Sequence, residues 1–168
     1  MAYLLDANVF IEAKKRHYGL DFCPAFWDWL IAENAAGRVY SIDEIEDEIH
    51  AKADELSAWA STRGRALFLT PDAAVVRCLA VVSAWAASQV PGRYSPAALN
   101  AFLQDPDYHL VSHALAQGHT VVTQEITENR RSEIKIPEAC LGVGVLSITP
   151  FEMLRNGHAR FVLGTTTT

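Results

Sequence analysis

Four carboxylates from four separate stretches of the chain stand where acids do chemistry on an open α/β sheet. Asp6 closes the apolar run Tyr3–Asp6, and Asn8 follows two residues later. Gln124 and Glu125 come directly after a second apolar run, His119–Thr123. Asp107 stands in the first turn of the helix expected to lead into that run, and Glu48 borders the apolar stripe of an acidic helix. In open parallel sheets, ligands collect outside the carboxyl ends of the strands, where the strand order reverses. Side chains meeting there offer oxygen donors alone, the set that suits Mg²⁺ or Mn²⁺. Each acid also has a purely structural reading. Asp6 can cap the helix that follows it. Asp107 can be a favourable charge at a helix start, behind Asp105 at the N-cap and Pro106 at the first helical position. Glu48 can be one solvated acid among several, and Glu125 an ordinary loop acid.

The elements that must position these residues alternate between strand and helix. The spacing predicts strands at Tyr3–Asp6, Arg38–Ile42, Ala66–Thr70, His119–Thr123 and Gly144–Thr149. Between them lie helical stretches at 7–15, 22–36, 72–90 and 106–116, the last stopped by Gly118. Residues 22–36 place Phe26, Trp29 and Leu30 on one face, with Gly37 as the stop. The acidic stretch repeats Ile42, Ile45, Ile49, Ala53 and Leu56 at helical spacing, the stripe of one continuous helix. Strands alternating with helices imply a parallel sheet covered on both faces. The expectation is a single α/β domain over residues 1–164 with a disordered tail at 165–168.

With 168 residues, 50% hydrophobic and 10% aromatic, the chain has ample material for one core, which excludes a disordered or fibrous protein. The net charge of −6 argues at first against a nucleic-acid partner. That charge is local: residues 43–55 carry seven acids against one base, and the remainder is balanced at 13 of each. Cys23, Cys78 and Cys140 are widely spaced and form no CxxC pair, as expected of reduced thiols in a cytoplasmic protein. Asp6 interrupts the first apolar stretch too early for a signal peptide. The low-charge run Ala73–Val90 carries Arg77 and is shorter than the roughly 20 apolar residues of a membrane span. It reads as a deeply buried helix, and no membrane partner is expected.

Four stretches together resemble the PIN-domain superfamily of metal-dependent nucleases: "YLLDANVFIEA", "VYSIDEIEDEI", "DYHLVSHALAQGHTVVTQE" and "GVLSITPFEML". The segments "GLDFCPAFWDWL" and "IKIPEACLGVGVLSITPFEML" look like a little-characterised branch of it. The resemblance implies a three-layer α/β/α sandwich whose five parallel strands run in the order 3-2-1-4-5. It also implies a Mg²⁺ or Mn²⁺ site of Asp6, Glu48, Asp107 and Glu125, supported by Asn8 and Thr123, and RNA as the substrate. Many chains of this kind are toxins of toxin–antitoxin pairs, so an antitoxin protein and self-association into a homo-oligomer are expected partners. Two features depart from the pattern. The acid after Thr123 is usually Asp and here is Glu125, one methylene longer. His113 occupies a place that is often small or apolar; with His109 it reads as a surface or partly packed histidine, a ligand or proton-transfer role being the minority reading.

Grip on an RNA backbone is expected from Lys14, Lys15 and Arg16 after the first strand and from Arg130, Arg131 and Lys135 after the fourth. Trp27, Trp29, Trp59 and Trp85 offer no stacking series and are assigned to the core. The stretch Gln89–Gln104 is longer than such a domain needs and reads as a lid facing substrate or partner. Two other functions stay open. A haloacid-dehalogenase-type phosphotransferase also begins with an apolar strand ending in a nucleophilic Asp, although its usual second acid is replaced here by Asn8. A PIN-like interaction protein with weakened or lost catalysis is kept open by Glu125.

Overall fold

The apolar run that ends at Asp6 forms the central strand of a parallel sheet. In the computed structural model, which describes residues 1–162, β1 (Tyr3–Leu5) pairs with β2 (Val39–Ile42) on one side and β4 (Thr120–Val122) on the other. Leu4 stands opposite both Tyr40 and Val121. The edges are β3 (Phe68–Leu69) and β5 (Ser147–Ile148), giving the order β3-β2-β1-β4-β5. Every pairing is parallel. Strands this short hold because helices cover both faces: Leu4, Leu5, Val39, Ile42, Val121 and Val122 are wholly buried. The expected strand order and three-layer α/β/α architecture are thus observed. The expected domain end at 164 and the tail at 165–168 lie outside the described residues.

Parallel neighbours need crossover connections, and helices supply them. Between β1 and β2 run α1 (Ala7–Glu12), a π-helical turn (Ala13–His17) and α2 (Pro24–Ala35). Between β2 and β3 come α3 (Asp43–His50) and α4 (Glu55–Ser61). The long connection from β3 back to β4 holds α5 (Ala73–Ser88), α6 (Pro96–Phe102) and α7 (Pro106–Gln117). The chain closes with α8 (Ile136–Val143) before β5 and α9 (Pro150–Asn156) after it. Strand order reverses between β1 and β4, so the crevice beyond their carboxyl ends is the natural ligand position.

The structure corrects several expectations about single elements. The acidic stripe is broken into two helices, because the Asp54 carboxylate caps α4 by accepting from the N–H groups of Leu56 and Ser57 at 3.0 and 3.1 Å. Ala53 is therefore exposed, while Ile45, Ile49 and Leu56 are buried. Helix α2 begins only at Pro24, and its inner face is Phe26, Trp27 and Leu30, with Trp29 half-buried. Helix α5 is not deeply buried: Val75, Val82 and Ala86 face inward, but Val76 and Val81 are 58% and 52% exposed. A run without charges need not be buried all round.

The stretch read as a lid is moored instead. Tyr94 is wholly buried and donates its hydroxyl to Glu138 Oε2 at 2.8 Å. The Glu138 carboxylate, 2% exposed, also accepts from the main-chain N–H groups of Asn129 and Lys135 at 3.0 and 3.3 Å. Phe102 of α6 enters the core. Among the described residues no helix is long and apolar enough to cross a membrane.

Candidate functional site

Asp6 leaves β1 in extended conformation at the N-cap position of α1, yet its side chain makes no capping bond to that helix. It is 4% exposed, and its Oδ2 accepts a hydrogen bond from Thr123 Oγ1 at 2.8 Å. The same Thr123 oxygen accepts from Asn8 Nδ2 at 3.1 Å and from the Glu125 N–H at 3.0 Å. Asn8 Oδ1 accepts from the Gln124 N–H at 2.9 Å. One hydroxyl thus ties the ends of β1 and β4 together and fixes the Asp6 carboxylate at the point of strand reversal.

Asp107 is brought to the same place by α7. Asp105 caps that helix, its Oδ1 accepting from the Asp107 N–H at 3.0 Å, and Gly118 ends it at φ +63°, a left-handed conformation that glycine adopts without penalty. Glu48 reaches the cleft from α3 on an exposed side chain. Glu125 lines the cleft with both oxygens engaged: Oε1 accepts from Lys135 Nζ at 2.9 Å and Oε2 from the Ile136 N–H, at the start of α8, at 2.8 Å. The resulting cleft has a volume of about 340 Å³ and is lined by Asp6, Asn8, Glu48, Asp107 and Glu125. Asp105 and Glu133 line it as well, two acids that sequence reasoning did not place there. Asp105 had the signature of a cap, which it also is, and Glu133 carried no signal.

The electrostatics follow from this crowding. Burial, then the charges of Glu125 and Glu48, push the Asp6 carboxyl up to about 7 against the pull of the Thr123 hydrogen bond. Burial and the charges of Asp6, Asp105, Glu125 and Glu48 push Asp107 up to about 9. Glu48, although exposed overall, is raised by the desolvation its carboxyl meets at the cleft and by Asp105. These acids repel one another across one cleft, and a cation among them would relieve that repulsion. The four carboxylates still do not close on a single point. Among the described residues the one trio of His, Cys, Asp or Glu with ligand atoms all within 4.8 Å of one another is Asp43, Glu44 and His113, at another place.

The basic residues expected to hold substrate are largely committed elsewhere. Lys14 pairs with Asp54 at 2.8 Å and Glu55 at 3.6 Å, Arg16 with Glu12 at 2.8 Å, and Arg130 with Glu128 at 2.9 Å. Arg131 donates to the Pro91 carbonyl at 2.9 Å, and Lys135 bridges Glu125 and Glu133. Lys15 is exposed. Some of these partners are near in sequence, as Glu12 is to Arg16 and Glu128 to Arg130, and others are distant, as Asp54 is to Lys14 and Pro91 to Arg131. A larger cavity of about 540 Å³ lies at the other end of the strands, beside Tyr3 and Thr120, where Glu33 and Arg38 already pair at 2.6 Å. His113 is not a surface residue: it is 1% exposed.

Fold and site together define an α/β protein with a doubly wound parallel sheet and an acidic cleft at its switch point. Residues 3–161 match the family model described as "Domain of unknown function (DUF4411)", and the chain belongs to that family. No curated protein and no solved structure matches it.

Proposed function

We propose that the cleft binds Mg²⁺ or Mn²⁺ and that the chain is a metal-dependent ribonuclease. The observation that carries this reading is the meeting of Asp6, Glu48, Asp107 and Glu125 in one cleft at the strand reversal, with Asp6 buried and raised by its neighbours. The donor set fits the ion: carboxylate oxygens suit hard divalent cations, and acids that resist ionising together are what such an ion stabilises. Asp6, Glu48, Asp107 and Glu125 would hold it. When bound, the ion supplies polarisation of the phosphate and activation of water.

The chain's own contribution is orientation. Thr123 and Asn8 keep the Asp6 carboxylate facing the cleft, so little reorganisation is needed to ligate. The Ile136 N–H at the start of α8 holds Glu125 Oε2 in place, while Lys135 occupies Oε1 as a cation that a metal ion would displace. A carboxylate of the cleft accepts the proton that the attacking water gives up. RNA as the substrate is supported by the PIN-like motifs, and so are a toxin role with an antitoxin partner, self-association and a cytoplasmic setting. The test is cleavage of a fluorophore-quencher RNA in Mn²⁺: activity should vanish in EDTA and fall at least about 100-fold in Asp6→Asn, since a ligand counts for more than an outer partner. Equal cleavage under either condition refutes the reading.

A second reading has one observation in its favour. Both Glu125 oxygens already have partners, as expected of a PIN-like interaction protein in which catalysis has weakened. Calorimetric Mn²⁺ binding together with inert behaviour toward several RNAs would favour it.

A further inference from the structure

A second group of ligating side chains lies on another face of α7. His109 and His113 are four residues apart and share one side of that helix, whereas Asp107, two residues before His109, points elsewhere. They face Asp43 and Glu44, the first two residues of α3. A ring nitrogen of His113 and one carboxylate oxygen each from Asp43 and Glu44 lie within 4.8 Å of one another. His109 Nδ1 stands 2.7 Å from Glu44 Oε1, without the alignment that would make the contact a hydrogen bond. His113 is 99% buried, and its Nε2 has no hydrogen-bond partner among the described residues. The same holds for Asp43 Oδ1, Glu44 Oε2 and His109 Nδ1. Buried polar atoms are nearly always paired, and among the described residues the four side-chain atoms that are not belong to this group.

A shared proton between Asp43 and Glu44 would settle the two acids but not the imidazole nitrogens turned toward them. We propose that Asp43, Glu44, His109 and His113 bind a first-row transition-metal dication of the Zn²⁺ type. Two imidazoles with two carboxylates form a borderline donor set, which prefers such ions to the Mg²⁺ or Mn²⁺ suited to the all-oxygen cleft. Around a tetrahedral ion with bonds of about 2.0–2.2 Å, ligand atoms lie about 3.3–3.6 Å apart, so side-chain rotations that move the Asp43, Glu44 and His113 atoms by about 1 Å close the trio. Burial pushes His113 down to about 4, which keeps the imidazole in the neutral form that ligates. The ion pins the first turn of α3 to α7. Those helices carry Glu48 and Asp107, so it also fixes the spacing of two cleft acids; this consequence rests on the cleft reading, whereas the binding does not.

The test uses the full chain, stripped with chelator and dialysed, then titrated with Zn²⁺ by calorimetry and examined by zinc K-edge absorption. One Zn²⁺ with scattering from two imidazoles is expected, and it should persist in the Asp6→Asn/Asp107→Asn double variant, since no histidine lines the cleft. His109→Gln and Glu44→Gln, both at half-buried positions, should each weaken Zn²⁺ binding by more than the roughly 10–100-fold that loss of an outer partner costs. Those two variants decide the matter even if His113→Gln does not fold. A spectrum with oxygen donors alone, loss of Zn²⁺ in the double variant, or unchanged affinity in His109→Gln and Glu44→Gln overturns the proposal. RNA cleavage is not a readout here, so the two sites are refuted separately.

Discussion

The two faces of α7 collect similar charges and treat them in opposite ways. On the cleft face, Asp6 and Glu125 are fixed by donors from the protein: the Thr123 hydroxyl, the Lys135 ammonium and the Ile136 N–H. On the other face, Asp43 Oδ1, Glu44 Oε2, His109 Nδ1 and His113 Nε2 are buried with no hydrogen-bond partner among the described residues. The first arrangement is an open cleft already oriented, its acids held apart. The second is a closed knot whose atoms have no partner but one another. Under the two proposals, the first place would admit and release an ion and the second would keep it.

The largest effect that would break this contrast is at Asp6. Asp6→Asn should abolish metal-dependent RNA cleavage, by at least about 100-fold, with circular dichroism unchanged because the amide keeps the shape and loses the charge. A smaller effect is expected one step outward. Thr123→Val removes the hydroxyl donor to Asp6 and should weaken Mn²⁺ binding by roughly 10–100-fold, read by calorimetry, without touching Zn²⁺ binding at the histidines.

The metal-free protein should also lose stability as pH rises from 7 to 9. Asp107 is raised to about 9 from an ordinary 3.8, so in this window the folded state binds a proton that the unfolded state has released. Stability then falls with pH, by at most about 1.4 kcal/mol per unit for one proton. In a domain of this size that is at most roughly 3–6 °C per unit in a thermal melt. The lowered histidines act with the opposite sign, but only below about 6.5. Asp107→Asn should flatten the slope, and a slope that persists there would remove Asp107 as its source. The smallest effect is at Lys135: Lys135→Met withdraws a competing cation from Glu125 and should tighten Mn²⁺ binding by less than about tenfold, in keeping with the modest worth of partly exposed ion pairs.

The sheet was legible because its strands are short apolar runs with abrupt polar ends, and Asp6 and Glu125 are those ends. Asp107 was legible through the Asp105 and Pro106 that start its helix. Part of what escaped is a local cap, and the rest depends on partners distant in sequence. The break before α4 comes from the Asp54 cap, reinforced by Lys14 from another segment. The loop before α6 is moored by Glu138 accepting the Tyr94 hydroxyl, a pairing that neither segment announces. His113 looked like a surface residue because nothing near it in the chain says that α7 packs against the first turn of α3. Asp43 and Glu44 were counted only as solvated charge, and the local acidity around residues 43–55 proves to serve two places: Glu48 at the cleft, and these two at the histidines.

Helix α7 is fixed at both ends, by the Asp105 cap and by Gly118 in its left-handed turn. Successive residues on a helix are about 100° apart, so deletion of a single residue among Leu110, Val111 and Ser112 would swing His113 out of register with His109 and Asp107. Every ligating residue would still be written in the gene, and each would match its counterpart in an alignment. In inheritance the two sites are therefore linked by the length of one helix as firmly as by the identity of any residue on it.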